Sequence, residues 1–411
     1  MNIRTIDGGV TAAKGFKAAG YAAGVKYENR LDMAMVYSEK PCVAAGTFTS
    51  NVVKAAPVLW DRRIVRETDG SVRAVVVNTG IANAGTGEEG LRLCEETAAK
   101  AAESLGTDRD EVLIGSTGVI GPQLNMTAIL NGVERLAGML SDSREAAHTA
   151  SQAIMTTDTH PKECAVTFTV DGKTVTLGGM AKGSGMIHPN MCTMLGYITT
   201  DIKISKKMLQ QALSQVVPDT FNMISVDGDT STNDTLLVLA NGEAGNKEIV
   251  SEDADYDAFR EALFQVTRDL AIQLAGDGEG ATKLITCHVV NAADRDKAKI
   301  LAKSVITSNL TKAAFYGNDA NWGRILCAMG YSGAQFDPER LDIFFDAEGC
   351  SRIQLYHDGS GQPFSEEEAT ALLKHEEVVI TCDMKEGSEE ATAWGCDLTH
   401  EYVNINADYR S

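Results

Sequence analysis

The chain has 411 residues, 44% of them hydrophobic, with 38 glycines against 8 prolines and a net charge of −20. That length suits two or three folded units with real cores, and the composition excludes a disordered or fibrous chain. The acidic balance argues against a nucleic-acid binder, and no apolar run reaches the ~18 residues that a membrane helix needs.

In chain order, the first twenty residues, "MNIRTIDGGVTAAKGFKAAG", lack the continuous apolar core of a secretion signal, so the cytoplasm is the expected compartment. "VRAVVVNTG" (72–80) is a β-branched run ending in a turn and predicts a buried strand. "EEGLRLCEETAAKAAESLG" follows as a helix, with Leu91, Cys94, Ala98, Ala101, Ala102 and Leu105 at helical spacing and Gly106 as its C-terminal cap. "EVLIGSTG" (111–118) predicts a second strand, and "NMTAILNGVERLAGML" a helix capped by Asn125 or Thr127. "AVTFTVDGKTVTLGGMAKG" reads as a hairpin with Asp171-Gly172 in the turn. Further on, "SKKMLQQALSQVV", "YDAFREALFQVTRDLAIQLAG" and "DRDKAKILAKSVITS" are amphipathic helices, and "LLVLANG" and "LITCHVVN" are strands. Beyond about residue 335, "LDIFFDAEG", "SEEEATALLKH", "EVVITCDM" and "ATAWGCDLT" suggest a smaller α+β lobe. Strands and helices mix without strict alternation. The expected fold is therefore α/β (α+β), a layered sandwich of helices around mixed sheets rather than a barrel.

The nine cysteines (42, 94, 164, 192, 287, 327, 350, 382, 396) form no Cys-x-x-Cys pair and read as reduced thiols, mostly in the core. The seven histidines show no His-Glu-x-x-His spacing, so no metal is expected. "DGDTSTND" lacks the turn glycine and the twelfth-position glutamate of a calcium loop, and "GDGEGATK" lacks the Gly-Lys-Ser/Thr order of a phosphate loop. Trp322 in "GNDANWGR" is expected to pack rather than to stack on a ligand.

One seam stands out. In "GSGMIHPNMCTMLGYITTD" (183–201) a glycine-rich stretch meets Thr193, and an apolar strand begins at once. A threonine opening a strand is ordinarily just a β-former. The alternative is a nucleophile. Threonine hydroxyl needs an adjacent base, and an α-amino group, with its pKa near ~7.7–8.0 against ~10.4 for lysine, serves when threonine is the first residue of a chain. Attack of Thr193 Oγ on the Cys192 carbonyl, followed by hydrolysis of the ester, would create that terminus.

"MAKGSGMIHPNMCTMLGYITTD" (180–201) resembles the cleavage region of the ornithine acetyltransferase family, also called glutamate N-acetyltransferase or the arginine-biosynthesis bifunctional protein. "VVVNTGIANAGTG" (75–87), "IGSTGVIG" (114–121), "IMTTDTHPK" (154–162), "SVDGDTSTND" (225–234), "GDGEGATK" (276–283), "YGNDANWGRI" (316–325) and "INADYRS" (405–411) resemble that family's other blocks, in its order. The resemblance implies self-cleavage between Cys192 and Thr193, where Cys192 replaces the family's frequent alanine. The products would be an alpha chain, 1–192, and a beta chain, 193–411, that fold together and associate as a dimer of such pairs. It implies an oxyanion hole at Thr117 and Gly118. It also implies amino-acid binding by Thr156 (or Thr157), Lys182, Thr193, Glu279, Asn406 and Ser411, the last standing where relatives often have threonine. Read on residue type alone, Thr117-Gly118 is a strand-ending turn, Lys182 a surface lysine and Glu279 a helix-end acid. The implied reaction moves the acetyl group of N-acetyl-L-ornithine to L-glutamate through acetyl-Thr193, with no cofactor and with acetyl-CoA as an optional second donor. Two other readings remain open on the residues: a self-processing aminopeptidase or amidase using the same nucleophile, and an uncut chain that only binds amino acids.

Overall fold

In a computed structural model, which describes residues 3–67, 70–188 and 194–408, the chain divides into two compact units. One is drawn from residues 1–183, 189–222 and 230–270, the other from 184–188, 223–229 and 271–411. Neither unit corresponds to a continuous half of the sequence. The expected division at residues 192/193 falls inside a segment of the first unit. The boundary expected near residue 335 falls inside the second. There, strands beyond 335 share a sheet with Leu284–Ala292.

The first unit holds strands β1 (Arg4–Ile6), β2 (Phe16–Tyr21), β3 (Met33–Phe48), β4 (Val72–Asn78), β5 (Val112–Ser116), β6 (Lys162–Val170), β7 (Lys173–Lys182) and β8 (Leu195–Thr200). The short β9 (Ile224–Ser225) belongs to the second unit, and β10 (Thr235–Ala240) returns to the first. Among the described residues the sheet order is β1-β6-β7-β8-β10-β3-β4-β5, with β2 also paired to β3. Pairing is mixed: β8 and β10 are parallel, as are β4 and β5, whereas β6–β7–β8 run antiparallel. The near-continuous apolar run of β4 has the cause expected of it, since the strand is buried on both faces.

Helices α1 (Ala56–Arg62), α2 (Gly87–Leu105), α3 (Met126–Met139), α4 (Arg144–Ala153) and α5 (Lys206–Val216) pack on this sheet. Gly106 closes α2 in the left-handed conformation, at φ 67°, and Asn125 caps α3 by accepting from Ala128 N–H at 3.3 Å. The buried face of α2 is Leu93, Cys94, Thr97, Ala98, Ala101 and Ala102. Leu91, read as part of that stripe, faces solvent at 37% exposure. The turn between β6 and β7 is the expected one: Asp171 and Gly172 both have positive φ, 50° and 68°, the geometry that matches strand twist in a two-residue hairpin.

Helix α6 (Ala254–Gly276) carries the chain into the second unit. Strands β11 (Leu284–Ala292), β12 (Asp342–Asp346), β13 (Ile353–His357), β14 (Ser360–Gly361), β15 (Glu377–Asp383) and β16 (Glu389–Cys396) join β9 there in the order β14-β13-β12-β15-β11-β16-β9. Helices α7 (Arg295–Thr307), α8 (Asn309–Tyr316), α9 (Trp322–Gly330), α10 (Glu366–Leu373) and α11 (His400–Ala407) complete it. Trp322 packs against Tyr356, with ring centroids 5.1 Å apart, and against Gly361, where a Cβ would come within 2.5 Å of the indole. This mixed α/β architecture, with two mixed sheets and helices, is the class expected from strands and helices that mix without strict alternation. Among the described residues no helix is long and apolar enough to cross a membrane.

Candidate active site

β7 and β8 are antiparallel partners in register from Leu177↔Thr200 to Lys182↔Leu195. Lys182 is thus the last paired residue before the glycine-rich stretch, and Leu195 the first after it. Thr193 and Cys192, the expected nucleophile and the residue before the cut, lie outside the described residues, as does Ser411.

The side chain of Lys182 turns inward and is 7% exposed. Its Nζ donates to Thr156 Oγ1 at 2.7 Å and to Thr117 Oγ1 at 3.3 Å. Three residues expected at the site, far apart in sequence, therefore meet around one ammonium group. A buried ammonium needs a counter-charge, and Asp158 supplies it. One carboxylate oxygen accepts from Lys162 Nζ at 2.7 Å and from Gly183 N–H at 2.7 Å. The other accepts from Thr156 N–H at 2.9 Å and lies 4.0 Å from Lys182 Nζ. Burial works to raise the Asp158 carboxyl, but Lys182 and Lys162 outweigh it and hold the group well below the usual carboxylate range. Asp158 stands in the quoted block "IMTTDTHPK", yet sequence reasoning does not single it out. Its signal there is an acid two residues after Thr156 and four before a lysine, a pattern that is common on surfaces.

Thr117 and Gly118 follow β5. Thr117 N–H donates to Asn78 O at 3.1 Å and Val119 N–H to Gly80 O at 3.1 Å, which ties the turn to the end of β4. Asn233 fastens the same corner, its side chain donating to Ala82 O at 2.6 Å and Ser116 O at 2.8 Å. Gly118 has φ +129°, and a Cβ there would sit 2.2 Å from the Gly80 carbonyl carbon, so only glycine fits. Both residues are half-buried, and Gly118 N–H meets no acceptor among the described residues. A hydroxyl and an N–H presented by adjacent residues are the donors that a developing oxyanion requires.

In the second unit, Glu279 follows α6 and is 6% exposed. Its N–H donates to Ser184 O at 2.8 Å, and its carboxylate accepts from Asn406 Nδ2 at 2.7 Å. A Cβ on Gly185 would come within 2.3 Å of that carboxyl, so the glycine makes room for it. Asn406 lies on α11, capped by Thr399, whose hydroxyl also reaches Gly280 O at 2.7 Å. Asp227 accepts from Met186 N–H at 2.5 Å and Ile187 N–H at 3.0 Å, and Tyr402 OH donates to it at 3.3 Å. The block "SVDGDTSTND" thus contributes an acid that pins residues 186–187. His188 Nδ1 lies 3.1 Å from Ser225 Oγ, and burial, with Lys303 nearby, pushes its imidazole down to about 4. At neutral pH it is an uncharged hydrogen-bonding group.

Among the described residues the only group with metal-ligand proximity is Asp342, His357 and Asp358, far from these blocks in sequence. Lys385 Nζ already bridges its two carboxylates, at 2.7 and 2.6 Å. Lys182 Nζ is thus held between two hydroxyls and a carboxylate.

Hydroxyls, a glycine N–H and a charge-compensated ammonium, set at the ends of sheet strands, are groups that a mixed α/β enzyme of the acyltransferase class can use. A model described as the ArgJ family matches residues 17–411. The arginine biosynthesis bifunctional protein ArgJ of Symbiobacterium thermophilum is 50% identical over 408 residues, covering 99% of each chain. The corresponding ArgJ 1 of Clostridium acetobutylicum is 49% identical, covering 98% of this chain and 97% of that one. The crystal structure of an arginine biosynthesis bifunctional protein from Bacillus halodurans, 48% identical, covers 52% of this chain and 99% of its own with a TM-score of 0.50. The chain belongs to the ArgJ family.

Proposed function

We propose that this acyltransferase moves the acetyl group of N-acetyl-L-ornithine to L-glutamate in two displacements through acetyl-Thr193, within arginine biosynthesis in the cytoplasm. The names of the curated relatives, which specify arginine biosynthesis, support the pathway. The observation that carries the chemistry is the meeting of Thr117, Thr156 and the buried Lys182 ammonium at the strand end that leads toward residue 193.

Thr193 Oγ attacks the acetyl carbonyl while its own amine takes the proton. Thr117 Oγ1–H and Gly118 N–H receive the oxyanion. Ornithine leaves, glutamate enters, and the acetyl group passes to its amine. Both substrates carry a carboxylate, for which Lys182 with Thr156 is the natural partner. Glu279, backed by Asn406, suits a substrate ammonium, and Ser411 adds a hydroxyl. No cofactor is needed for this chemistry. The word bifunctional in the relatives' names fits an acetyl-enzyme that is also charged from acetyl-CoA.

The amine becomes available by self-cleavage at Cys192-Thr193, giving chains 1–192 and 193–411 that remain associated, as a dimer of such pairs. The solved Bacillus halodurans chain supports this, since at 99% coverage it spans only 52% of the present sequence, about the size of one product of a cut near the middle. The intact mass of the purified protein, before and after exposure to N-acetylornithine, tests the reading. Two fragments are expected, with an acetyl increment on the one beginning at Thr193 that glutamate discharges. An active, covalently continuous chain would refute it.

A further inference from the structure

An ammonium group has hydrogens to give and no lone pair, so Lys182 Nζ can only donate. Both hydroxyls it meets are therefore acceptors toward it, Thr156 Oγ1 at 2.7 Å and Thr117 Oγ1 at 3.3 Å. A hydroxyl carries one hydrogen and two lone pairs. With a lone pair of Thr117 Oγ1 turned to the ammonium, its own hydrogen has to point elsewhere. Hydroxyl rotors ordinarily turn to whatever acceptor is near, but among the described residues the Thr117 hydroxyl donates to none. The geometry is fixed from both sides. Thr117 is tied down by its N–H, which donates to Asn78 O at 3.1 Å, and its β-branched side chain has few rotamers. Lys182 ends the paired part of β7 and is 7% exposed. Asp158, 4.0 Å from Nζ, is itself anchored by Lys162 Nζ, Gly183 N–H and Thr156 N–H.

We propose that Lys182 is a positioning residue for the Thr117 hydroxyl: it fixes which way that O–H points and strengthens it as a donor to the oxyanion of acyl transfer. The proposal rests on the reading that Thr117 and Gly118 receive that oxyanion. A hydroxyl that accepts a charge-assisted hydrogen bond is polarised by it, so the bond it donates in turn is stronger. The chain is Nζ–H···Oγ1–H···O⁻. No proton changes owner along it: the lysine stays an ammonium and the threonine a hydroxyl through each turnover. Because the O–H is already aimed, nothing has to rotate as charge develops, which is how an oxyanion hole exerts its effect. The 3.3 Å separation is long for such a bond, and catalytic hydrogen bonds commonly tighten as charge develops. Gly118 N–H needs no such help, since the backbone aims it and Gly118 is packed on Gly80. This role is separate from holding a substrate carboxylate. A carboxylate contact is made in the ground state as well as the transition state, whereas a strengthened oxyanion donor acts in the transition state alone.

A double-mutant cycle on the full-length protein tests this, with acetyl transfer from N-acetylornithine to glutamate as the readout for wild type, Lys182→Met, Thr117→Ala and the double variant. Lys182→Met should lower kcat by ~10-fold or more when Thr117 is present. In the Thr117→Ala background, where no hydroxyl is left to direct, it should lower kcat by less than ~3-fold. Thr117→Ser keeps the hydroxyl and should restore the sensitivity of kcat to Lys182→Met. A lysine that only supports the fold, or only binds the substrate carboxylate, would cost the same factor in both backgrounds, and that result overturns the assignment. So does a Lys182→Met protein with raised KM and unchanged kcat. If Lys182→Met does not fold, Lys182→Gln carries the cycle, since it keeps a polar side chain without the charge, and the same comparison of backgrounds decides. A Thr117→Ala protein with wild-type kcat would instead remove the oxyanion reading itself, and it is measured before any Lys182 variant is compared.

Discussion

Lys182 keeps a charge in a place where charge is costly, and its partners show how. Thr156 and Thr117 give it oxygen acceptors, and Asp158 balances it together with Lys162. Removing one partner of a buried ion pair typically costs ~3–5 kcal/mol, because the other is left uncompensated. Asp158→Asn should therefore lower stability by about that amount in a urea titration. The pH dependence has a definite sign. The Asp158 carboxyl lies below its usual range in the folded state, so its stabilising contribution is complete above the unfolded value of ~3.9 and is lost as pH falls from there toward the folded value. The variant should show a flatter acid limb than the wild type. Thr117 offers a separate test. If its hydroxyl serves the oxyanion, Thr117→Ala lowers kcat by ~10²–10³ with little change in KM. A variant of unchanged kcat would return Thr117 to a turn role.

At the scale of elements, the site is held by strand ends. β4 and β5 stop together, and their turns interlock through Thr117–Asn78, Val119–Gly80 and the two bonds from Asn233. Gly118 lies against Gly80 so closely that a methyl group cannot enter without moving backbone. Gly118→Ala should therefore displace the turn, abolish most turnover and lower the melting temperature. Gly172, in the β6–β7 hairpin, is the useful control. It also has positive φ, 68°, but a Cβ there meets nothing within 4 Å. Gly172→Ala should cost only the ~1–2 kcal/mol of left-handed backbone strain and leave the acetyl-transfer rate unchanged. Equal losses in both variants would show that conformational strain, not the contact with Gly80, fixes the Gly118 turn.

The molecule as a whole folds as two units whose membership crosses the proposed cut. Residues on both sides of position 193 supply strands of one sheet, β7 before it and β8 after it, hydrogen-bonded in register. Breaking one peptide bond in such a connection leaves the ladder, and with it the core, intact. Thr193→Ala is thus expected to run as a single inactive 43.9 kDa chain with a melting curve close to that of the cut protein. A fully active variant would sink the mechanism, and an unfolded one would show that the cut is needed for folding rather than for chemistry.

Local pattern was enough to read β4, β5, the Asp171-Gly172 hairpin and the caps at Gly106 and Asn125, because each depends on residues within a few positions. The order of blocks along the chain carried the family and the candidate residues. The long strand Met33–Phe48 escaped that reading. Its first part, Met33–Tyr37, lies between β2 and β4, its last part, Val43–Phe48, pairs with β10, and its register against β4 shifts between Tyr37 and Cys42, so its pattern follows three neighbours instead of one period. Only tertiary structure revealed Asp158 and Asn233, whose decisive partners lie as much as 151 residues away. Sequence by itself determined which residue types and turns were available, since propensity and backbone sterics act locally. The folded sheet decided which polar groups are buried together, and burial is what makes an ordinary lysine and aspartate depend on each other as partners.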